Sequence, residues 1–121
     1  MLEYQVTGLT KVVTATSTSS EISFTPAEVN ASFSGQSGPV FFKISNGSAA
    51  DNVYFKTGLN SQTAVIPTAG TPGSTCIPAY AEIIVQVAAG DGLSPATIYC
   101  ACVANSSSPV YITPVTLVGI G

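Results

Sequence analysis

The sequence predicts an all-β domain, a sandwich or jelly-roll-like barrel of about eight to ten short antiparallel strands with no significant helix. Three observations carry this. Ser and Thr are abundant, with 15 and 14 copies in 121 residues. Val, Ile, Thr, Tyr and Phe recur in short runs. Gly, Pro, Asn and Ser interrupt those runs about every 8–12 residues, the spacing of strands and turns in sandwiches and barrels.

The elements follow in order. Residues 2–7 alternate, placing Leu2, Tyr4 and Val6 on one face. Residues 11–16 form a second short strand, and the polar run 17–20 is a hinge. Residues 21–24 put Ile22 and Phe24 together, and Pro26, which has no N–H for a ladder, ends that strand. Residues 29–33 alternate again before a turn at 35–38.

Val40, Phe42 and Ile44 point one way along 40–45, Phe41 and Lys43 the other. Asn46-Gly47 is a strong turn signal, so 46–52 reads as a hairpin loop leading to a strand at 53–57. A short strand at 64–66 stops at Pro67, and the Gly- and Pro-bearing stretch 68–75 is a loop. Cys76-Ile77-Pro78 leads into a strand at 82–87. A turn at Gly90-Asp91-Gly92 precedes a strand at 96–103, and the turn 105–108 precedes a last strand at 110–118, broken by Pro114. The polar hinge divides the chain into residues 1–20, an N-terminal arm or extra strand pair, and residues 21–121, a β-sandwich domain.

Charge is scarce. Three Lys, no Arg and six Asp or Glu give a net charge of -3, and only 7% of residues are charged, against about a quarter in an average globular chain. Lys11, Lys43 and Lys56 stand apart, so no basic cluster exists to meet phosphates and no nucleic-acid partner is expected. No run of 18 apolar residues is present, so no membrane helix is expected. The first residues lack a basic region followed by an apolar run, so no signal peptide is read.

The chain has no His and no Trp. A His-based triad or His-ligated metal is therefore excluded, and a sugar-stacking site is weakened. Cys76, Cys100 and Cys102 lack a His base to make a nucleophile and a fourth ligand to make a zinc site. They read as small buried hydrophobes of a reducing compartment, with a disulfide from Cys76 as the alternative. The acids Glu3, Glu21, Glu28, Asp51, Glu82 and Asp91 are scattered singly at strand starts and turns, where they solubilise or shape turns rather than pair for acid–base chemistry. The turns holding Asp51 and Asp91 lack the ligand spacing of a calcium loop. The glycosylation triplets at Asn30, Asn46 and Asn105 read as loop residues. The expectation is a protein that is not an enzyme and carries no catalytic residue, cofactor or metal.

A β domain with so few charges has little to repel strands that dock on its edges. The edges are then closed by a barrel, by oligomerisation or by a partner surface. The chain's apolar ends, Leu2, Tyr4 and Val6 with Val115, Leu117, Val118 and Ile120, are the candidate oligomer or partner interface.

Four stretches carry a resemblance. V-F-F-K-I-S-N-G-S-A-A-D-N-V-Y-F-K-T-G at 40–58 reads as strand, turn and strand. C-I-P-A-Y-A-E-I-I-V-Q-V at 76–87 is a Pro-led strand, followed by A-T-I-Y-C-A-C-V at 96–103 and V-Y-I-T-P-V at 110–115. In order and texture these stretches resemble small all-β virion proteins of tailed bacteriophages, of the capsid decoration or cement type. The resemblance covers about residues 40–115. It implies a non-enzymatic structural protein that assembles in the host cytoplasm and sits on the outer capsid surface. Such a protein forms a homotrimer, binds the major capsid protein and stabilises the shell. The alternatives are another virion β protein, such as a fibre base or host-binding knob, and a secreted binding module.

Overall fold

The computed structural model describes residues 2–29, 40–88 and 97–119. Nine strands and one helical turn lie in these residues: β1 Leu2–Val6, β2 Lys11–Ala15, β3 Ser20–Phe24, α1 Pro26–Val29, β4 Val40–Asn46, β5 Val53–Gly58, β6 Thr75–Ile77, β7 Glu82–Ala88, β8 Ile98–Ala104 and β9 Ser108–Gly119. They form two antiparallel sheets packed face to face, an open sandwich and not a closed barrel. The first sheet runs β1-β9-β4-β7, with β2 also on β9. The second runs β3-β8-β5-β6.

Alternation builds the core. Val13, Phe42, Ile44, Val110 and Ile112 of the first sheet meet Phe24, Val53, Phe55, Cys100 and Cys102 of the second. The rings of Phe24 and Phe42 pack across the gap with centroids 4.7 Å apart. Lys11 closes one side of the sandwich. Its Nζ lies 4.9 Å from the Phe24 ring centroid, donates to the Ser23 carbonyl at 2.8 Å and pairs with Glu28 at 2.5 Å.

Several expectations need correction. Asn46-Gly47 does not open a hairpin, because β4 and β5 belong to different sheets and residues 47–52 arch between them. Asn46 is instead a buried strand-end residue. Its Nδ2 donates to the carbonyls of Asp51, Ile77 and Pro78, and its Oδ1 accepts from Ser48 N–H, so one side chain ties two arches together. A local turn signal reports a change of direction, not which sheet receives the next strand.

Pro114 does not break the last strand; β9 passes through it. The register explains why. β2 pairs as far as Ile112 and β1 begins at Val115. Pro114, whose carbonyl accepts from Thr7 N–H, points its donorless nitrogen toward the gap between those strands.

Residues 64–66 form no strand, whereas Thr75–Ile77, expected as the end of a loop and a lead-in, form one. Pro26 ends β3 as expected but also starts a helical turn that contains Val29. Thr25 and Glu28 cap it reciprocally: Thr25 N–H donates to Glu28 Oε1 at 2.9 Å, and Glu28 N–H donates to Thr25 Oγ1 at 3.3 Å. Of the strand expected at 29–33, Val29 lies instead in α1 and the rest falls outside the described residues, as do the turns at 35–38 and 90–92. Cys100 and Cys102 are buried and free as expected, whereas Cys76 is exposed on the short strand β6.

Candidate interaction surface

The two ends of the chain meet. β1 pairs with the second half of β9 in the register Leu2↔Gly119, Glu3↔Val118, Tyr4↔Leu117, Gln5↔Thr116 and Val6↔Val115. The expected interface residues Leu2, Tyr4, Val6, Val115, Leu117 and Val118 are thus gathered into one ribbon at the border of the first sheet, while Ile120 lies outside the described residues.

The outward face of that sheet extends the ribbon. One row runs Val6, Val115, Phe41 and Gln86 across β1, β9, β4 and β7. The next crosses Thr113, Lys43 and Ile84, and the third crosses Val12, Tyr111, Ser45 and Glu82. Inward neighbours in the same strands, Phe42, Ile44, Val110 and Ile112, are fully buried, which fixes these rows as the outer side.

Apolar groups dominate the rows. The ring of Tyr4 meets that of Phe41 edge-on at 5.5 Å and 74°. Val115, flanked by Val6 and Phe41, is 3% exposed yet belongs to neither buried cluster of the interior. Val12 is 53% exposed, and Tyr4, Val6, Tyr111 and Ile84 are also exposed, with Leu9 at the corner between β1 and β2. Among the described side chains this face carries one pair of charges: Lys43 Nζ lies 3.6 Å from Glu82 Oε2, which also accepts from Ser45 Oγ at 2.8 Å. Thr10 and Thr113 share a hydroxyl hydrogen bond of 2.6 Å, so even polar groups here are partly satisfied internally.

The outward face of the second sheet is different. Residues 59–74 fold across it, and Ala64 with Ile66 covers Ala101, Val103 and Tyr54. Glu21 anchors this cover by accepting from Gln62 N–H at 2.5 Å and Ser61 Oγ at 3.1 Å.

The acids serve local structure. The Lys11 ammonium, aided by the Thr25 N–H, holds the Glu28 carboxyl down at about 2. Asp51 accepts from Ser106 Oγ. Among the described residues no three or more Cys, Asp or Glu come together as a metal site. Burial pushes the Cys102 thiol up to about 12 and that of Cys100 higher still. A cleft of about 540 Å³ opens between the sheets at the β5–β7 side, lined by Phe55, Thr57, Val65, Pro72, Thr75 and Val85. Among the described residues Lys56 is its one ionisable group, so these present no acid–base or nucleophilic pair there.

Sequence reading missed Val12, Phe41, Ile84 and Tyr111 as parts of the face. Their period-2 alternation was visible, but alternation does not say which side is buried. No protein-family model, curated protein or solved structure matches the chain.

Proposed function

We propose that the protein is a non-enzymatic bacteriophage virion structural protein, a decoration or cement protein that binds the outer capsid surface through the outward face of its first sheet. The observation that carries this reading is the charge-poor apolar face, uncovered among the described residues, that is assembled around the paired β1 and β9. Depletion of charge with exposed aromatics marks the centre of protein interfaces rather than ordinary surface. The resemblance supplies the partner, the major capsid protein.

The strand order supports the same reading. From β2 onward every connection passes between the sheets except β5–β6, and we read that alternation as a jelly roll, a fold used by viral capsid proteins and by lectins. Binding only the assembled shell would stabilise it by mass action.

A second reading, a host-binding knob, is favoured by Tyr80. Its φ of 57° lies in the left-handed region, its side chain is 72% exposed, and the Ala81 N–H bond to the Pro78 carbonyl holds it in a tight turn.

The test is cosedimentation of the purified protein with expanded shells of the phage that encodes it. Saturable binding to shells is expected. Absence of shell binding, with binding to host cells instead, would replace the decoration reading with the knob.

A further inference from the structure

We infer that β7 is a copy-to-copy interface, pairing edge to edge with β7 of a second copy about a two-fold axis. This goes beyond shell binding and does not depend on it.

The sandwich has several strand edges to protect, and three are blunted. β6 is only three residues long. On β3, the Ser23 carbonyl is taken by the Lys11 ammonium. The β1–β2 border is overlain at its corner by α1: Thr7 Oγ1 donates to the Val29 carbonyl, and a Cβ on Gly8 would collide with the Glu28 carbonyl oxygen.

β7 has none of these devices among the described residues. It is seven residues long, ends its sheet and contains neither Lys nor Pro. Its bulge falls at Val87, between the pairs Val40↔Ala88 and Phe41↔Gln86, so Glu82 to Gln86 remains regular. A long, regular, apolar edge is a template for another strand.

The sequence of β7 is complementary to itself. An antiparallel pair centred on Ile84 sets Ile84 against Ile84, Ile83 against Val85 and Glu82 against Gln86 of the second copy. Inward residues then meet inward residues: Ile83 and Val85 both pack toward the core, while Glu82, Ile84 and Gln86 face out. No like charges oppose each other, since Glu82 meets an amide and keeps its own Lys43. One patch that pairs with itself gives a closed two-fold dimer, whereas the trimer implied by the resemblance needs two different patches to meet.

The test is molar mass by light scattering across a concentration series of the full chain. Ile84 is 37% exposed, so Ile84→Lys and Ile84→Glu leave the fold intact, checked by an unchanged circular dichroism spectrum. The wild type is expected at twice 12.2 kDa and each variant alone at the monomer mass. An equimolar mixture of the two variants is expected to recover the dimer, because the introduced ammonium of one copy would then face the introduced carboxylate of the other. A wild-type monomer or trimer, a dimer indifferent to both substitutions, or a mixture that stays monomeric would overturn the inference.

Discussion

The outward faces of the two sheets solve the same problem in opposite ways. Strand β8 of the second sheet is apolar on both sides, and the chain spends residues 59–74 covering it, so that Ala101 and Val103 are buried beneath Ala64. The first sheet also has an apolar outer side, with Tyr4, Val6, Val12, Phe41 and Tyr111, but no described segment lies over it. Burying an apolar side chain contributes about 1.5–3 kcal/mol. The second sheet realises that gain within the chain. Among the described residues the first sheet shows no such cover. This contrast is the physical basis of the proposed function.

The largest effect comes from testing the cover. Val103→Asp places a carboxylate in a buried, unpaired position, and a loss of about 3–5 kcal/mol is expected. Val12→Asp, on the bare face, is expected to cost about 1 kcal/mol or less. Urea denaturation of both variants measures the difference; equal costs would erase the contrast between the faces.

Thiol labelling tests the core that both faces enclose. Cys100 and Cys102 point from β8 into the core between the two sheets and have raised pKa values, whereas Cys76 is exposed. In the native protein one thiol per chain is expected to react promptly, and the other two at least about a thousandfold more slowly, limited by opening of the fold. Rapid reaction of all three would mean that the core between the sheets is not sealed.

The anchor of the cover is a smaller test. Glu21→Ala removes the acceptor for Gln62 N–H and Ser61 Oγ, and about 1 kcal/mol of stability is expected to go with it. Proteolysis should shift toward residues 59–74, as read by mass spectrometry of the fragments; cleavage unchanged from wild type would show that Glu21 does not hold the cover.

The smallest effect is at the corner of the bare sheet. Glu28 is held at about 2 by Lys11 and the Thr25 N–H, below the 4.5 of an unperturbed Glu. The folded protein therefore binds the proton less well than the unfolded chain. The stability from this contact is full above about pH 5 and is lost as pH falls through 4.5 toward 2. Because Glu28 is partly exposed, solvent and salt screen the effect. Glu28→Gln should flatten the slope of stability in that window and leave the slope above about pH 5 unchanged. A slope identical to wild type across that window would contradict this role.

Much of the fold was legible because period-2 alternation and turn residues are local. β1, β2, β3, β4, β5, β7, β8 and β9 all fall where short runs of Val, Ile, Tyr and Phe alternate. What was not legible depends on distant partners. Asn46-Gly47 has the chemistry of a hairpin, but the sheet assignment of β5 makes it an arch. Pro114 is tolerated because its register falls between β2 and β1. β6 is too short to show a period. The reciprocal Thr25 and Glu28 cap was readable as a T-x-x-E pattern, with Pro at the first helical position. Pro26 alone does not reveal the cap, because it equally explains the end of β3. As for the surface, the apolar ends Tyr4, Val6 and Val115 stood out from their position in the chain. Phe41, Val12 and Tyr111 did not, since only the packed sheets decide which side of a strand faces out.

In the proposed function the bare face of the first sheet, not the covered second one, meets the capsid. The decisive measurement is shell binding of three proteins: wild type, Tyr4→Ser/Tyr111→Ser on the bare face, and Val65→Ser on the cover, where Val65 is at least as exposed as the two tyrosines. Interface aromatics truncated in a packed contact typically cost about 2 kcal/mol or more, roughly a thirtyfold loss. Such a loss is expected for the tyrosine variant, and wild-type binding for Val65→Ser. Wild-type binding by the tyrosine variant, or loss by the Val65 variant alone, would contradict the proposed function.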